Sequence, residues 1–194
     1  MKISIVGLGK MGSQIAMKLH EGGHSVIAHN HTSNSVDEMK KLGMIGAYTK
    51  EEVIYHFGND QVIIWLMIPS GSIDSELDAW LGIVPKGSII IDGGNSKWSN
   101  TQKRAKKVLE CGSIFLDVGT SGGVWGYKNG FSMMVGGDNK CFEIIKPILE
   151  TLKKPEGMYA YFGESGSGHY VKMVHNAIEY GMMESLAEGY RMLK

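Results

Sequence analysis

The segment Gly7–Gly12, with the sequence GLGKMG, limits the possible folds more than any other part of this chain. It follows the short apolar run Ile3–Val6 and opens an amphipathic segment, so it predicts a tight turn between a buried strand and a helix. In this spacing the first glycine permits the turn, the second lets the backbone approach a pyrophosphate, and the third lets helix and strand pack closely. A glycine-rich turn without a ligand is the alternative. We expect a dinucleotide site built on Gly7, Leu8, Gly9, Lys10, Met11 and Gly12.

Short apolar runs alternate with longer helical patterns along the chain. The predicted strands are Ile3–Val6, Ser25–Ala28, Val62–Leu66, Ile89–Ile91, Ile114–Asp117 and Phe131–Val135. The predicted helices are Gly12–Glu21, Ser35–Lys41, Ser72–Leu81, Asn100–Cys111 and Lys140–Leu152. Several strands are apolar throughout, as expected when helices cover both faces of a parallel sheet. The expected fold class is α/β, a Rossmann-type doubly wound, mostly parallel sheet.

The pattern changes near residue 163. The glycine-rich segment GESGSG, residues 163–168, leads into an unbroken helical pattern from about His169 to the last residue. We therefore expect a dinucleotide-binding domain over residues 1–163. Residues 164–194 are expected to form the first helix of an all-α C-terminal domain, the rest of which is absent from this sequence.

Charge and cysteine content exclude several classes of partner. Twenty basic residues balance twenty acidic ones, so no net field attracts nucleic acid or an anionic membrane. The two cysteines have neither metal-ligand spacing nor a disulfide framework, and the N-terminus enters a strand without a signal-peptide pattern. We expect a cytoplasmic protein without bound metal. The densest basic cluster has the spacing of a solvated helix face: Lys103, Arg104, Lys106 and Lys107.

The residues after the second predicted strand bear on the choice of dinucleotide. An acidic residue at this place accepts hydrogen bonds from the ribose 2′-hydroxyl of NAD and repels the 2′-phosphate of NADP. This chain has Asn30, His31 and Thr32 instead, all of which can donate a hydrogen bond to a phosphate. NADP is therefore favoured. The alternative is that Asn30 and Thr32 only cap the next helix.

Three segments that follow strands carry polar or backbone-exposing residues. They are Leu66–Ser70, Asp92–Ser96 and Gly119–Gly123. Open α/β sheets bind ligands beyond the carboxyl ends of their strands, so we expect these segments to line one cleft. Each segment taken alone could also be a simple turn.

The final helix carries four reactive or polar side chains at helical spacing. Lys172, His175, Asn176 and Glu179 are offset by three, four and seven residues, which places them on one helical face. A base, an amide and an acid beside a nicotinamide pocket are suited to oxidation of an alcohol. A solvent-facing charged stripe is the alternative. An apolar surround is expected from Tyr170, Met173, Tyr180 and Met183.

Taken together, these motifs resemble the 6-phosphogluconate dehydrogenase family, within the wider β-hydroxyacid dehydrogenase group. The resemblance covers the whole chain and rests on GLGKMG, the Asn-x-Thr after the second strand, IDGGNS, GTSGG and KMVHNAIEYG. It implies oxidative decarboxylation of 6-phospho-D-gluconate to ribulose 5-phosphate with reduction of NADP, a step of the pentose phosphate pathway and of gluconate utilization. The implied partner is a phosphorylated sugar acid.

The resemblance also implies a role for each site residue. Lys172 would take the 3-hydroxyl proton, Glu179 would protonate the enediol after CO₂ leaves, and His175 and Asn176 would orient the hydroxyl and carboxylate. As a base Lys172 must be neutral, so burial or a neighbouring cation should lower its pKa. The implied substrate contacts are Asn95, Ser121, Gly122, Gly123, Lys172, His175, Asn176, Glu179 and Tyr180. Besides the glycine loop, the expected cofactor contacts are Asn30, His31, Thr32, Met67 and Asn95.

The chain departs from the family pattern in two respects. His31 stands where NADP-using relatives carry arginine, so NAD stays the alternative cofactor. The large helical domain that supplies further phosphate ligands in the family is absent, and we expect a homo-oligomer formed through that domain. Two other functions stay open: a non-catalytic dinucleotide-binding module, and a dehydrogenase of a small β-hydroxyacid such as 3-hydroxyisobutyrate.

Overall fold

The strands form one eight-stranded sheet in the computed structural model, which describes residues 1–194. They are β1 (Lys2–Val6), β2 (Ser25–His29), β3 (Ile45–Ala47), β4 (Ile63–Leu66), β5 (Ile89–Asp92), β6 (Ile114–Ser121), β7 (Ser132–Gly137) and β8 (Tyr159–Gly163). The strand order is β3-β2-β1-β4-β5-β6-β7-β8. Every neighbouring pair is parallel except β6 and β7. The predicted fold class, a Rossmann-type and mostly parallel sheet, is confirmed.

Eight helices accompany the sheet. They are α1 (Lys10–Glu21), α2 (Ser33–Lys41), α3 (Lys50–Phe57), α4 (Ile73–Leu81), α5 (Trp98–Glu110), α6 (Gly126–Asn129), α7 (Asn139–Lys153) and α8 (Ser167–Met192). One core packs α1, α2 and α7 on one face of the sheet, and a second core packs α3, α4 and α5 on the other. Ile63 and Trp65 of β4 enter the first core and Ile64 and Leu66 the second, which explains why this strand is apolar throughout.

Four elements were not predicted: β3, α3, α6 and β8. The strand β3 has three residues, and β8 lies at the sheet edge, where none of its residues is fully buried. The helix α3 begins after Thr49, whose hydroxyl accepts from the Glu52 N–H at 3.1 Å, while the Tyr48 N–H donates to the Glu52 carboxylate at 2.7 Å. This pair of caps is a helix-start signal that apolar periodicity alone does not detect.

The strand β6 is longer than predicted. It continues to Ser121 because β7 pairs with it in antiparallel register as far as Ser121 opposite Ser132. Gly119 and Ser121 therefore lie within a strand and not in a loop, which corrects the prediction for that segment. Only Gly122 and Gly123 follow the strand, and they lead into a 3₁₀ turn at Gly123–Trp125.

The predicted solvated face on α5 is wrong at one residue. Lys103, Lys106 and Lys107 are exposed, but Arg104 is 4% exposed. Its guanidinium turns inward because it pairs with the carboxylates of Asp74 and Asp92. A charge pattern alone cannot distinguish this arrangement from a surface stripe.

No helix of the chain is both long enough and apolar enough to span a membrane. The longest, α8, packs its first turns on β6 and β7 and exposes most of its remaining residues.

Candidate functional site

The glycine loop has the geometry of an anion cradle at the start of α1. Gly7 has a φ of +95°, and a Cβ on Gly12 would overlap the Gly7 carbonyl oxygen, so neither position admits a side chain. A Cβ on Gly9 would meet no atom within 4 Å, so the space beside its backbone is open. The N–H groups of Lys10, Met11 and Gly12 make no hydrogen bond within the chain, and no acidic side chain lies in the first turn. The loop therefore fits a pyrophosphate.

Asn30 connects this loop to the end of β2. Its Oδ1 accepts from the Leu8 N–H at 3.2 Å and its Nδ2 donates to the Thr32 hydroxyl at 2.7 Å. Thr32 occupies the N-cap position of α2 but makes no side-chain cap hydrogen bond. The side chains of Asn30 and Thr32 therefore do not cap α2, contrary to the capping alternative.

A cleft of about 740 Å³ lies beside the β2 end. Of the predicted cofactor contacts, Gly7, Asn30 and His31 line it, whereas Thr32 does not. Lys50 and Glu76 also line it and form an ion pair at 3.1 Å, with the Lys50 amine 5.6 Å from the centre of the Trp80 ring. No local sequence pattern indicates this ion pair, since it joins α3 to α4.

The main cleft, of about 830 Å³, collects most of the other predicted site residues. It lies beyond the carboxyl ends of β4, β5 and β6, where the three predicted segments meet. The predicted residues that line it are Met11, Met67, Asn95, Ser121, Gly122, Gly123, Lys172, Asn176, Glu179, Tyr180 and Met183. Thr120, within the predicted segment Gly119–Gly123, also lines it, together with two residues that were not predicted, Val124 and Trp125.

His175 is the predicted residue that the structure places elsewhere. It is exposed, does not line the main cleft, and lies beside it with its Nδ1 3.6 Å from the Glu179 carboxylate. The four side chains span about 100° of the helix surface, and His175, at one edge of this arc, is the one that does not enter the cleft. Tyr170 and Met173 are likewise outside the cleft lining, and Tyr170 packs edge-on against Trp98.

Glycines bring the start of α8 close to the sheet. A Cβ on Gly119 of β6 would overlap the Lys172 Cβ, and one on Gly168 would overlap the Met134 carbonyl oxygen. At the same crossing the buried Asp117 carboxylate accepts from the N–H groups of Gly166 and His169 at 2.7 and 2.9 Å. The position of Lys172 is thus set by close backbone packing and by an anchor at the helix start.

The amine of Lys172 has the electrostatic setting expected of a base. Burial lowers its pKa from the ordinary lysine value, while the charge of Glu179, two turns along α8, raises it. The lowering agrees with the expectation from sequence, and burial is its cause. The cleft thus combines a lysine whose pKa is lowered by burial with an amide and a carboxylate, a set suited to moving protons on an oxygen-rich substrate.

Comparison with known proteins agrees with this geometry. Residues 2–163 match the family model described as the NAD binding domain of 6-phosphogluconate dehydrogenase, and residues 168–194 match the one described as 6-phosphogluconate dehydrogenase, C-terminal domain. The chain is 36% identical over 200 residues to the NADP(+)-dependent decarboxylating 6-phosphogluconate dehydrogenase of Bacillus subtilis, covering 100% of this chain and 43% of that protein. It is 34% identical over 194 residues to the NAD(+)-dependent decarboxylating enzyme of Haloferax volcanii, covering 100% and 64%.

Solved structures give the same result. A Plasmodium falciparum 6-phosphogluconate dehydrogenase is 33% identical with a TM-score of 0.88, over 98% of this chain and 43% of that one. A 3-hydroxyisobutyrate dehydrogenase of Mycobacterium tuberculosis is 22% identical with a TM-score of 0.87, over 97% and 63%, and shares the fold. The chain spans about two fifths to two thirds of the length of the curated relatives it matches.

Proposed function

The chain belongs to the 6-phosphogluconate dehydrogenase family, and we propose that its protein oxidises and decarboxylates 6-phospho-D-gluconate to ribulose 5-phosphate with reduction of NADP. The observation that carries this proposal is the main cleft, in which Lys172, Asn176 and Glu179 of α8 meet Asn95 and Ser121. The relatives' names supply the substrate, and the cleft supplies the groups that its chemistry needs.

A dinucleotide fits the residues present. In the proposal the free N–H groups at the start of α1 hold the pyrophosphate, and the cleft beside Asn30 and His31 holds the adenosine. We propose NADP because no carboxylate follows β2 directly, with NAD as the alternative because Glu51 and Glu76 line the same cleft. A bound oxidised dinucleotide would supply the acceptor for the hydride that leaves the substrate.

The residues of α8 then manage the protons. Neutral Lys172 takes the proton of the 3-hydroxyl as that alcohol is oxidised to a ketone. A ketone β to the carboxylate can accept the electron pair released when CO₂ leaves, which gives an enediol. Glu179, in its protonated form, donates a proton to the enediol carbon. Asn176 orients the substrate, and His175 acts through Glu179, since it lies outside the cleft.

We also propose a division of the chain near residue 163. Residues 1–163 would form the dinucleotide-binding domain, and 164–194 the start of a helical domain. The exposed apolar side chains of α8 support this division, because such a surface is normally covered in a finished domain or in an oligomer.

The test is turnover of 6-phosphogluconate with NADP, followed by NADPH absorbance and by CO₂ release. Lys172→Met is expected to lower kcat by a factor on the order of 10²–10⁴, the usual contribution of a positioned base. NADPH affinity should change little. Lys106→Met, which removes an exposed lysine of α5, is the matched control and should keep full turnover.

The other outcomes identify the competing functions. Full turnover by Lys172→Met would refute the base assignment. NADPH binding without turnover of any β-hydroxyacid would identify a non-catalytic binding module. Turnover of 3-hydroxyisobutyrate in place of 6-phosphogluconate would identify the small-acid enzyme.

A further inference from the structure

The buried guanidinium of Arg104 joins two loops that line the main cleft. Its Nε and Nη2 donate to the two carboxylate oxygens of Asp74, at 2.7 and 2.9 Å. Nη2 also donates to the Ser70 carbonyl at 3.4 Å, in the segment after β4. Nη1 donates to the Ser96 hydroxyl at 3.0 Å, in the segment after β5, and to Oδ2 of Asp92, the last residue of β5, at 3.3 Å. Arg104 itself does not line the cleft.

The contacts on the β5 side surround Asn95. Asp92, which is fully buried, accepts from the Gly94 N–H through Oδ1 at 3.0 Å and from the Ser96 hydroxyl through Oδ2 at 2.8 Å. The residues on both sides of Asn95 are therefore held by one carboxylate. Arg104 balances the charge of that carboxylate and shares its Ser96 partner.

We propose that Arg104 is a positioning residue: it fixes the segment after β5, and with it Asn95, relative to the segment after β4, so that both meet the bound nucleotide and substrate. This proposal rests on the proposed function for the identity of the ligands. The arrangement of the loops can be tested without a ligand.

A comparison within the protein separates this role from simple helix packing. Lys107, one turn further along α5, pairs with Asp78 of α4 at the surface, so it joins the same two helices as the Arg104–Asp74 pair. Lys107 makes no hydrogen bond or ion pair with either loop. Burying a charge costs free energy that a surface pair avoids, and a buried pair is weak support for stability alone. The added contacts of Arg104 with Ser70, Asp92 and Ser96 are the part that helix packing does not require.

The experiment compares Arg104→Lys, Ser96→Ala and the control Lys107→Met. In the ligand-free protein, amide hydrogen exchange of Gly94 should accelerate by about tenfold in the first two variants. Loss of the contact is expected to raise the equilibrium constant for local opening of this segment by about that factor. NADPH affinity, measured well below the unfolding temperature of every variant, should fall about tenfold to a hundredfold, as for a site misplaced from a distance. Lys107→Met should match the unaltered protein in both measurements.

Two results would overturn the proposal. If Gly94 exchange in Arg104→Lys and Ser96→Ala equals that of the control, the guanidinium does not hold the loop. If exchange accelerates while NADPH affinity and the KM for 6-phosphogluconate stay unchanged, the network orders the loop but does not position the site. An unaltered protein that binds no NADPH would refute the proposed function, and the exchange measurement would still decide whether Arg104 holds the loop.

Discussion

Lys172 combines a proposed chemical role with a cost to stability. Burial lowers its pKa, because the charged amine loses hydration beside β6. The unfolded chain keeps the ordinary lysine pKa of 10.5. Between the two pKa values the unfolded state binds the proton and the folded state does not, so the stability contributed at this residue rises with pH across that window.

We therefore predict that Lys172→Met stabilises the fold most at pH values below the folded pKa of Lys172. Below the folded pKa the lysine is charged in both states and the folded state bears the full desolvation cost, which methionine removes; the gain should be up to about 1 kcal/mol. Above pH 10.5 both states hold a neutral amine and the gain should vanish. Urea unfolding of both proteins over a pH series measures it. A gain that is the same at every pH would assign the effect to packing.

The residue type at Asn30 could be used to predict the cofactor, but the contacts of its side chain could not be predicted. The missing carboxylate after β2 could be read directly, and so could the glycine pattern that Gly7 and Gly12 complete. The Asn30 Oδ1 accepts from the Leu8 N–H, and its Nδ2 donates to the Thr32 hydroxyl. These hydrogen bonds depend on how two loops meet, which no local sequence pattern encodes.

These contacts make Asn30→Asp a selective test of cofactor preference. Aspartate keeps an acceptor for the Leu8 N–H but adds a negative charge where the 2′-phosphate of NADP is proposed to lie. The ratio of NADPH to NADH affinity should fall by about tenfold or more, since like charges a few ångströms apart near a surface cost on the order of 1–4 kcal/mol. Fluorescence titration with both dinucleotides measures this ratio. Asn59→Asp, at an exposed position outside both clefts, is the control and should leave it unchanged.

At the scale of elements, α8 was predictable as a helix but its crossing with the sheet was not. The crossing depends on Gly119, Gly136 and Gly168, where a Cβ would overlap backbone atoms or the side chains of Lys172, Ser167 and Asp117. In the sequence these glycines look like ordinary strand and turn glycines. The prediction that Arg104 is exposed was wrong for a similar reason, because its acidic partners lie in β5 and α4, far from it along the chain. Three-residue β3 and edge strand β8 were too short or too exposed to show a strand period.

We predict that Gly119→Ala displaces α8 and with it Lys172. The new methyl group overlaps the Lys172 Cβ, so either the helix shifts or the strand bends. Overpacking of this kind costs about 1–3 kcal/mol of unfolding free energy. Turnover should fall further than stability implies, because the displaced group is the proposed base; thermal unfolding and kcat are measured together. Gly181→Ala is the control, since a Cβ there meets nothing and alanine favours a helix by up to about 1 kcal/mol. Equal behaviour of the two variants would contradict the packing argument.

At the scale of the whole molecule, the strand order explains where both clefts lie. The sheet runs outward from β1 in one direction through β2 and β3, and in the other through β4 to β8. The chain reverses direction between β1 and β4, and loops diverge at this point, which leaves an opening above the sheet. Ile68 and Pro69, which follow β4, line both clefts. A dinucleotide laid across this point can therefore reach from the glycine loop to α8.

Helix α8 carries an apolar surface that the 194 residues do not cover. Ile178, Met182, Leu186 and Tyr190 recur every four residues along α8 and are each 60% exposed or more. A soluble monomer rarely exposes a continuous apolar patch of this kind. We predict that the isolated 194-residue chain associates with itself through this face, as sedimentation velocity over a concentration series should show.

Two double variants can separate the effect of this face on self-association from the effect of exposed apolar residues in general. Ile178→Lys with Leu186→Lys should weaken self-association by a hundredfold or more, since burying each such side chain contributes about 1.5–3 kcal/mol. Tyr55→Lys with Leu109→Lys removes two isolated exposed side chains, 80% and 69% exposed, from α3 and α5, and should leave association unchanged. Because neither pair of substitutions touches the main cleft, NADPH affinity should be the same in both double variants. A chain that stays monomeric at every concentration, or a control pair that dissociates it equally well, would show that α8 does not need a cover.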